Sequence, residues 1–308
     1  MKRKVFTLGE SLLDIIFAND ESATVSVGGS LLNTSISLAK SGNSVSLISE
    51  TGNDYAGKLI LNSLKSSGID TSNIQIYDNN QTSIALAFLD MNRNADYNFY
   101  KNYPQKRLLC IPQINQEDIL MFGSAYSVTN ELRNSLKLIL KEARQKNAMI
   151  YYDPNIRKHC NSEDLKTLFY ENISYADIIK TSNEDIYHIF GDISFKEVYK
   201  ITCSYGCKNL IITQNRNPVM LFTENNRMEV NIPEIKVVSS IGAGDAFNAG
   251  VVHQILKNNI TREQISVLNS DNWEKIINTA IGFSSDVCQS YQNFISDKLA
   301  KKITNYQE

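Results

Sequence analysis

The stretch SSIGAGDAFNAG, Ser239–Gly250, follows an extended segment at Ile235–Val238 and runs into a helical pattern. Gly242 and Gly244 let the main chain turn tightly and present its N–H groups at a helix N-terminus. Unsatisfied donors and the positive end of the helix dipole then point the same way, which attracts an anion. Asp245 stands beside that place. A carboxylate next to an anion site is unfavourable unless it has chemical work, and taking a proton from an attacking hydroxyl is such work. On the local residues alone, a glycine-rich turn with Asp245 as a helix cap is an equal alternative. A dinucleotide fingerprint, G-x-G-x-x-G, would need glycine where Phe247 stands, and no G-x-x-x-x-G-K-[ST] loop occurs anywhere. These absences exclude an NAD-linked enzyme and a Walker-type nucleotide loop.

Outward from this stretch, short apolar runs alternate with longer amphipathic ones. Lys4–Leu8, Val45–Ser49, Ile119–Phe122, Met149–Asp153, Ile178–Lys180, Leu210–Thr213 and Val219–Phe222 read as strands, mostly apolar on both faces. Leu32–Ser41, Tyr55–Ser67, Asn130–Lys146, Phe195–Ser204, Gly244–Lys257 and Trp273–Gln289 carry apolar residues at helical spacing. Doubly buried strands separated by helices predict an α/β domain whose mostly parallel sheet lies between helical layers. Thr82–Lys101 breaks the rhythm: it alternates like a half-buried hairpin with a polar turn around Asn92–Asp96. With Val25–Val27 it forms either a small separate sheet or an edge hairpin of the main one. No Pro-, Gly- or Ser-rich linker divides the chain, so residues 1–308 are expected to be one domain with a β appendage.

Two further stretches carry chemistry. In VGGSLLNTS, Val27–Ser35, paired glycines precede a helix and let a ligand approach the main chain, while Asn33 offers a donor and an acceptor. A plain turn and helix start is the competing reading. In YDPNIR, Tyr152–Arg157, Pro154 stops a strand and Arg157 is able to hold a phosphate. The ends of parallel strands are where open α/β sheets bind ligands.

These stretches, in this order, resemble the PfkB/ribokinase family of carbohydrate kinases over nearly the whole chain. The resemblance runs through Gly9-Glu10…Asp14, Gly28-Gly29…Asn33 and Gly52-Asn53-Asp54…Gly57, then Asp153-Pro154-Asn155-Ile156-Arg157, and ends at Gly242-Ala243-Gly244-Asp245. It implies a three-layer ribokinase-like fold with a small β-sheet lid from about residues 18–27 and 82–104. By similarity, Asp245 is the base, and Gly242, Ala243 and Gly244 form the anion hole for the transferring phosphoryl group. Asp14, Gly28, Gly29 and Asn33 match sugar-binding positions. Arg157, Ser182, Thr213, Asn215 and Asn278 fall on the nucleotide side, with Asp185 (or Glu184, one residue earlier) acting on magnesium through water.

Several positions depart from the family. Ser239-Ser240-Ile241 replaces its Asp-Thr-Thr, so a bound monovalent cation is not implied. Asn215 and Pro218 replace glycines, although asparagine tolerates a left-handed turn. The Gly-Glu opening and Ser182 suggest a fructokinase-like member using ATP and Mg2+, with fructose or a related hexose as acceptor. A 2-keto-3-deoxygluconate kinase is the next reading, but Phe99-Tyr100 is followed by Lys101, not by the bidentate arginine that suits a carboxylate. A ribokinase or nucleoside kinase and a non-catalytic sugar-binding protein remain as alternatives.

Composition agrees. The 308 residues are 42% hydrophobic and 21% charged, which suits a buried core and excludes a disordered, collagen-like or coiled-coil chain. A net charge of −2 provides no broad field for nucleic acid or an acidic membrane, so neither is an expected partner. In MKRKVFTLGESLLDIIF, Glu10 and Asp14 interrupt the apolar run as no signal peptide would, and no run is long enough to cross a bilayer. Cysteines 110, 160, 203, 207 and 288 are scattered; Cys203 and Cys207 at i, i+4 on a helix read as packing rather than as a metal pair. A reducing cytoplasmic setting is expected. The resemblance adds a homodimer formed through the lid.

Overall fold

The computed structural model describes residues 3–17, 22–89, 95–156 and 162–305. In chain order the elements are β1 (Lys4–Leu8), β2 (Leu12–Phe17), β3 (Ala23–Gly28), α1 (Ser30–Lys40), β4 (Ser44–Gly52), α2 (Tyr55–Ser66), β5 (Ile74–Tyr77), β6 (Ile84–Leu89), β7 (Ala95–Tyr100) and β8 (Ile119–Gly123). There follow α3 (Arg133–Gln145), β9 (Met149–Asp153), α4 (Glu163–Tyr175), β10 (Ile178–Ser182), α5 (Asn183–Phe190), α6 (Phe195–Ser204), β11 (Leu210–Gln214), β12 (Asn217–Phe222) and β13 (Arg227–Val230). The chain ends with α7 (Ala243–Lys257), α8 (Arg262–Ile265), α9 (Ser270–Cys288) and α10 (Asp297–Asn305).

Strands apolar on both faces need cover on both sides. The main sheet runs β13-β12-β11-β10-β9-β8-β1-β4-β5, and only β12 runs against the other strands. Successive residues of one strand enter opposite cores. Val5, Met121, Tyr151 and Ile211 pack toward α1, α7 and α9, while Phe6, Phe122, Tyr152 and Ile212 pack toward α3, α4, α5 and α6. The chain winds outward from β1 to β5, then returns to the other side of β1 at β8. The C-terminal ends of β1 and β8 therefore flank a switch point, the place where such sheets hold ligands.

The hairpin around residues 82–101 belongs to a separate four-stranded sheet, β3-β2-β6-β7. This settles the choice between an appendage and an edge hairpin. The sheet also takes in β2, which the apolar rhythm left unassigned. Its expected turn lies partly in residues 90–94, outside the described residues, as do 18–21 of the expected lid. Ile235–Val238 joins no ladder and runs past the end of α9, where Val238 N–H donates to Cys288 O (2.8 Å). One smaller expectation is corrected. Cys207 lies beyond α6, buried on the approach to β11.

Asp54 fastens the two sheets together. As N-cap of α2 it accepts from Gly57 N–H (2.8 Å), and it also takes Thr82 N–H (2.9 Å) and Thr82 Oγ (2.6 Å) at the start of β6. Burial alone would raise its pKa, but these hydrogen bonds outweigh burial and hold it below its ordinary 3.8. A depressed carboxylate stabilises the fold above the unfolded-state pKa and loses that contribution as pH falls through the folded one. Asp54→Ala should therefore cost about 1–2 kcal/mol at pH 7. The gap to wild type should narrow below about pH 4, as read in urea titrations from the fluorescence of Trp273, the only tryptophan.

Candidate active site

Two helix N-termini meet at the centre of the cleft. Gly29, at φ 117°, follows β3 and caps α1, and a side chain there would collide with the carbonyl of Glu10. Gly242, at φ 80°, caps α7, and a side chain there would collide with the carbonyl of Asn293. Both are positions that glycine alone fills without strain. Asp245, in the first turn of α7, is 7% exposed. Its Oδ1 accepts from Ser30 Oγ (2.6 Å) and its Oδ2 from Asn33 Nδ2 (2.9 Å), while Thr34 Oγ reaches its carbonyl (3.1 Å). The buried Asn33 Oδ1 has no hydrogen-bond partner among the described residues, which leaves an acceptor for a ligand hydroxyl. Asp14 is buried on β2, its carboxylate pressed against Gly28, where any side chain would collide with it.

On the other flank the ends of β9, β10 and β11 lie side by side. Ser182 and Thr213 are register partners. Ser182 caps α5 in a reciprocal box: Asp185 N–H donates to Ser182 Oγ (3.0 Å), and Asp185 Oδ2 accepts from Ser182 N–H (2.8 Å) and Oγ (2.7 Å). Asp185 Oδ1 accepts from Ile156 N–H (2.7 Å), so the protein itself engages both oxygens. Burial, with Asp153 adding, raises the Asp185 pKa. Asn215 takes φ 50°, as the replaced glycine would allow, and its Nδ2 donates to Glu184 Oε1 (3.2 Å).

Lys180 links this flank to the helix terminus. Its Nζ lies 3.3 Å from Asp153 Oδ2 and 3.3 Å from where a Cβ on Gly244 would stand. Burial disfavours its charge, but Asp153, Asp185 and Asp245 outweigh burial and raise its pKa, so the ammonium persists. Asn248 of α7 donates to Asp153 Oδ2 (2.5 Å) and accepts from Tyr151 OH (2.9 Å), which docks α7 onto β9. Asp153 Oδ1 is buried with no hydrogen-bond partner among the described residues.

The lid side carries a second charged assembly. Arg107 pairs with the buried Glu50, which also accepts from Tyr126 OH (2.8 Å) and Tyr77 OH (3.0 Å). The Arg107 guanidinium stacks on the Tyr103 ring at 3.6 Å, and Tyr103 OH donates to Glu10. Glu10 in turn pairs with Lys101 (2.7 Å), whose ammonium lies 5.2 Å from the Phe99 ring centroid.

The fold thus brings Gly28, Gly29, Asn33, Asp14 and the Gly242-Ala243-Gly244-Asp245 turn together. It sets Ser182, Thr213, Asn215 and Asp185 at neighbouring strand ends. Of the expected anion-hole groups, the Ala243 N–H donates to Ser240 O (3.2 Å), whereas those of Gly242 and Gly244 have no main-chain acceptor among the described residues. Asn278 sits exposed on α9, and Arg157 lies outside the described residues. Ser30, Asp153, Lys180, Glu50 and Arg107 were not foreseen as parts of the site. A lysine inside the apolar run IIKTS was a signal for Lys180, and a hydroxyl three residues before Asn33 was one for Ser30.

A fructokinase of Rhizobium leguminosarum bv. trifolii is 25% identical, with 86% of this chain and 84% of that protein covered. An ATP-dependent 6-phosphofructokinase of Thermoanaerobacterium thermosaccharolyticum is 28% identical, with 83% and 82% covered. A Xylella fastidiosa fructokinase solved with bound ATP superposes at TM-score 0.85, covering 100% of this chain and 99% of that one at 18% identity. The pfkB family carbohydrate kinase model matches residues 2–291. With that span and this cleft, the chain belongs to the pfkB family of carbohydrate kinases and is a phosphotransferase acting on a hydroxyl acceptor.

Proposed function

We propose that the protein transfers the γ-phosphoryl group of ATP to a hydroxyl of a free sugar, with fructose or a related hexose as acceptor. The observation that carries this reading is the Asp245 carboxylate, held by Ser30 and Asn33 where the glycine pair meets the first turn of α7. These two hydrogen bonds fix the direction of the carboxylate. Asp14 and the open acceptor of Asn33 would bind other hydroxyls. The sugar hydroxyl gives its proton to Asp245 as its oxygen bonds to phosphorus, and the bond to the leaving nucleotide oxygen breaks. Gly244 N–H and the Lys180 ammonium would steady the charge on the phosphoryl oxygens.

Magnesium fits the residues present. Asp153 holds a buried, unpartnered Oδ1, whereas both oxygens of Asp185 are engaged by the protein. Asp153 would therefore hold the ion's water shell, with Asp185 behind it. The bound ion would supply neutralising charge to the nucleotide phosphates. Ser182, Thr213 and Asn215 line the approach for the nucleotide, with Arg157 and Asn278 further candidates. No helix among the described residues is long and apolar enough to cross a membrane. A cytoplasmic setting fits a kinase that draws on ATP.

A second copy of the chain fits the outer lid face. The register puts Ile15, Phe17, Val25, Leu86, Phe88 and Tyr100 on the face opposite Asp14. Phe17 and Phe88 stack there at 5.0 Å, and Val25, Phe88 and Tyr100 are exposed.

Three outcomes are expected. Asp245→Asn should lower kcat at least about 10²-fold while calorimetry shows sugar binding retained; near-normal turnover would falsify the mechanism. Lys180→Met strands the Asp153 charge and should cost about 3 kcal/mol, and adding Asp153→Asn should restore most of that in urea denaturation. Phe88→Glu should shift sedimentation toward monomer, and a wild type that is monomeric at all concentrations removes the lid interface.

A further inference from the structure

We infer that Glu10 is a positioning residue for acceptor specificity: by pairing with Lys101 it cancels a cation on the sugar side of the lid and confines the acceptor to uncharged sugars. This rests on the sugar-kinase reading and deepens it. The lid register aligns Asp14, Ala85 and Phe99 across three strands, so these side chains share one face. Lys101 follows Phe99 by two residues and lies over its ring, which brings the ammonium to that same face. The main chain of Glu10 lies against Gly29, which caps α1 beside the helix start that holds Asp245. A free ammonium there would attract a sugar acid or a sugar phosphate, and the relative that phosphorylates a phosphorylated hexose makes that acceptor class a real competitor.

The ammonium is not free. Lys101 Nζ stands 2.7 Å from one Glu10 oxygen and 2.8 Å from the other. Glu10 is itself fixed, because Tyr103 OH donates to it and its side chain is only 13% exposed. Tyr103 is pinned from behind by the stacked Arg107, whose own charge is met by Glu50. The result is a column of alternating charge, Glu50, Arg107, Glu10, Lys101, with the Tyr103 ring at its middle. Each cation in it is matched by a carboxylate. An anionic acceptor approaching Lys101 also approaches Glu10, and displacing Glu10 would leave that carboxylate with only the tyrosine hydroxyl. An uncharged polyol meets no such opposition and finds hydrogen-bond partners in Asp14 and Asn33.

Glu10→Gln keeps an acceptor for Tyr103 and removes the charge. Initial rates with ATP and magnesium are compared on fructose, 2-keto-3-deoxygluconate and fructose 6-phosphate. Wild type should prefer fructose. In Glu10→Gln the ratio of kcat/KM for either anionic acceptor to that for fructose should rise about tenfold, less at high salt. The rise should vanish in Glu10→Gln/Lys101→Met, and Lys101→Met alone should lower the ratio below wild type. A wild type that prefers an anionic acceptor, an unchanged ratio in Glu10→Gln or a rise that survives loss of Lys101 each overturns the inference. If Glu10→Gln does not fold, an unchanged ratio in Lys101→Met overturns it alone. A wild type that phosphorylates none of the three refutes the proposed hexose acceptor instead, and calorimetric binding of the same acceptors to both variants then decides the role of Glu10.

Discussion

The cleft depends on one meeting of two helix starts. Ser30 and Asn33 leave the first turn of α1 and grip the two oxygens of Asp245 in the first turn of α7, across more than two hundred residues of chain. Both helix dipoles present their positive ends there, and a single carboxylate answers both. That geometry explains why glycine is needed at 29 and 242. Each helix must begin abruptly beneath another segment's carbonyl, and any side chain would push the two starts apart. It also explains how a carboxylate is tolerated next to an anion site: its charge is already held by two donors when a phosphate arrives.

Either side of this junction, charge is managed differently. On the nucleotide flank, three carboxylates, Asp153, Asp185 and Asp245, face one buried ammonium, Lys180. That side is short of positive charge, which suits a nucleotide that brings a metal with it. On the lid flank the charges are balanced one for one along Glu50, Arg107, Glu10 and Lys101. A balanced column offers rigidity and hydrogen-bond direction without a net field. Under the proposed function, that contrast would divide the labour between a flank for a charged ligand and one for a neutral ligand.

Much of this was legible in the residues. The parallel sheet showed in strands such as Ile119–Phe122, whose apolar residues leave no solvent face, and the separate sheet showed in the two-residue rhythm of Thr82–Lys101. The two glycine turns marked both helix starts. Other features left no local trace. β2, LLDIIF, mixes a buried carboxylate into an apolar run, and α5 is too short to display a helical period. Asp185 reads like a metal-associated acid, yet its place at the third position of α5 makes it a reciprocal cap, a role visible only once Ser182 is seen at the helix start. The column through Glu50, Tyr103 and Arg107 joins segments more than fifty residues apart, and pattern within a window cannot reveal such a pairing. Arg157 stays an expectation.

The strand β2 is both the middle of the small sheet and the bearer of Asp14, and only residues 9–11 separate it from β1 at the heart of the large sheet. A tilt of the small sheet would flex at that short neck and would carry Asp14 with it. A tilt of that kind would couple admission of an acceptor to assembly of the Asp14 grip, since the roof carries part of the floor with it.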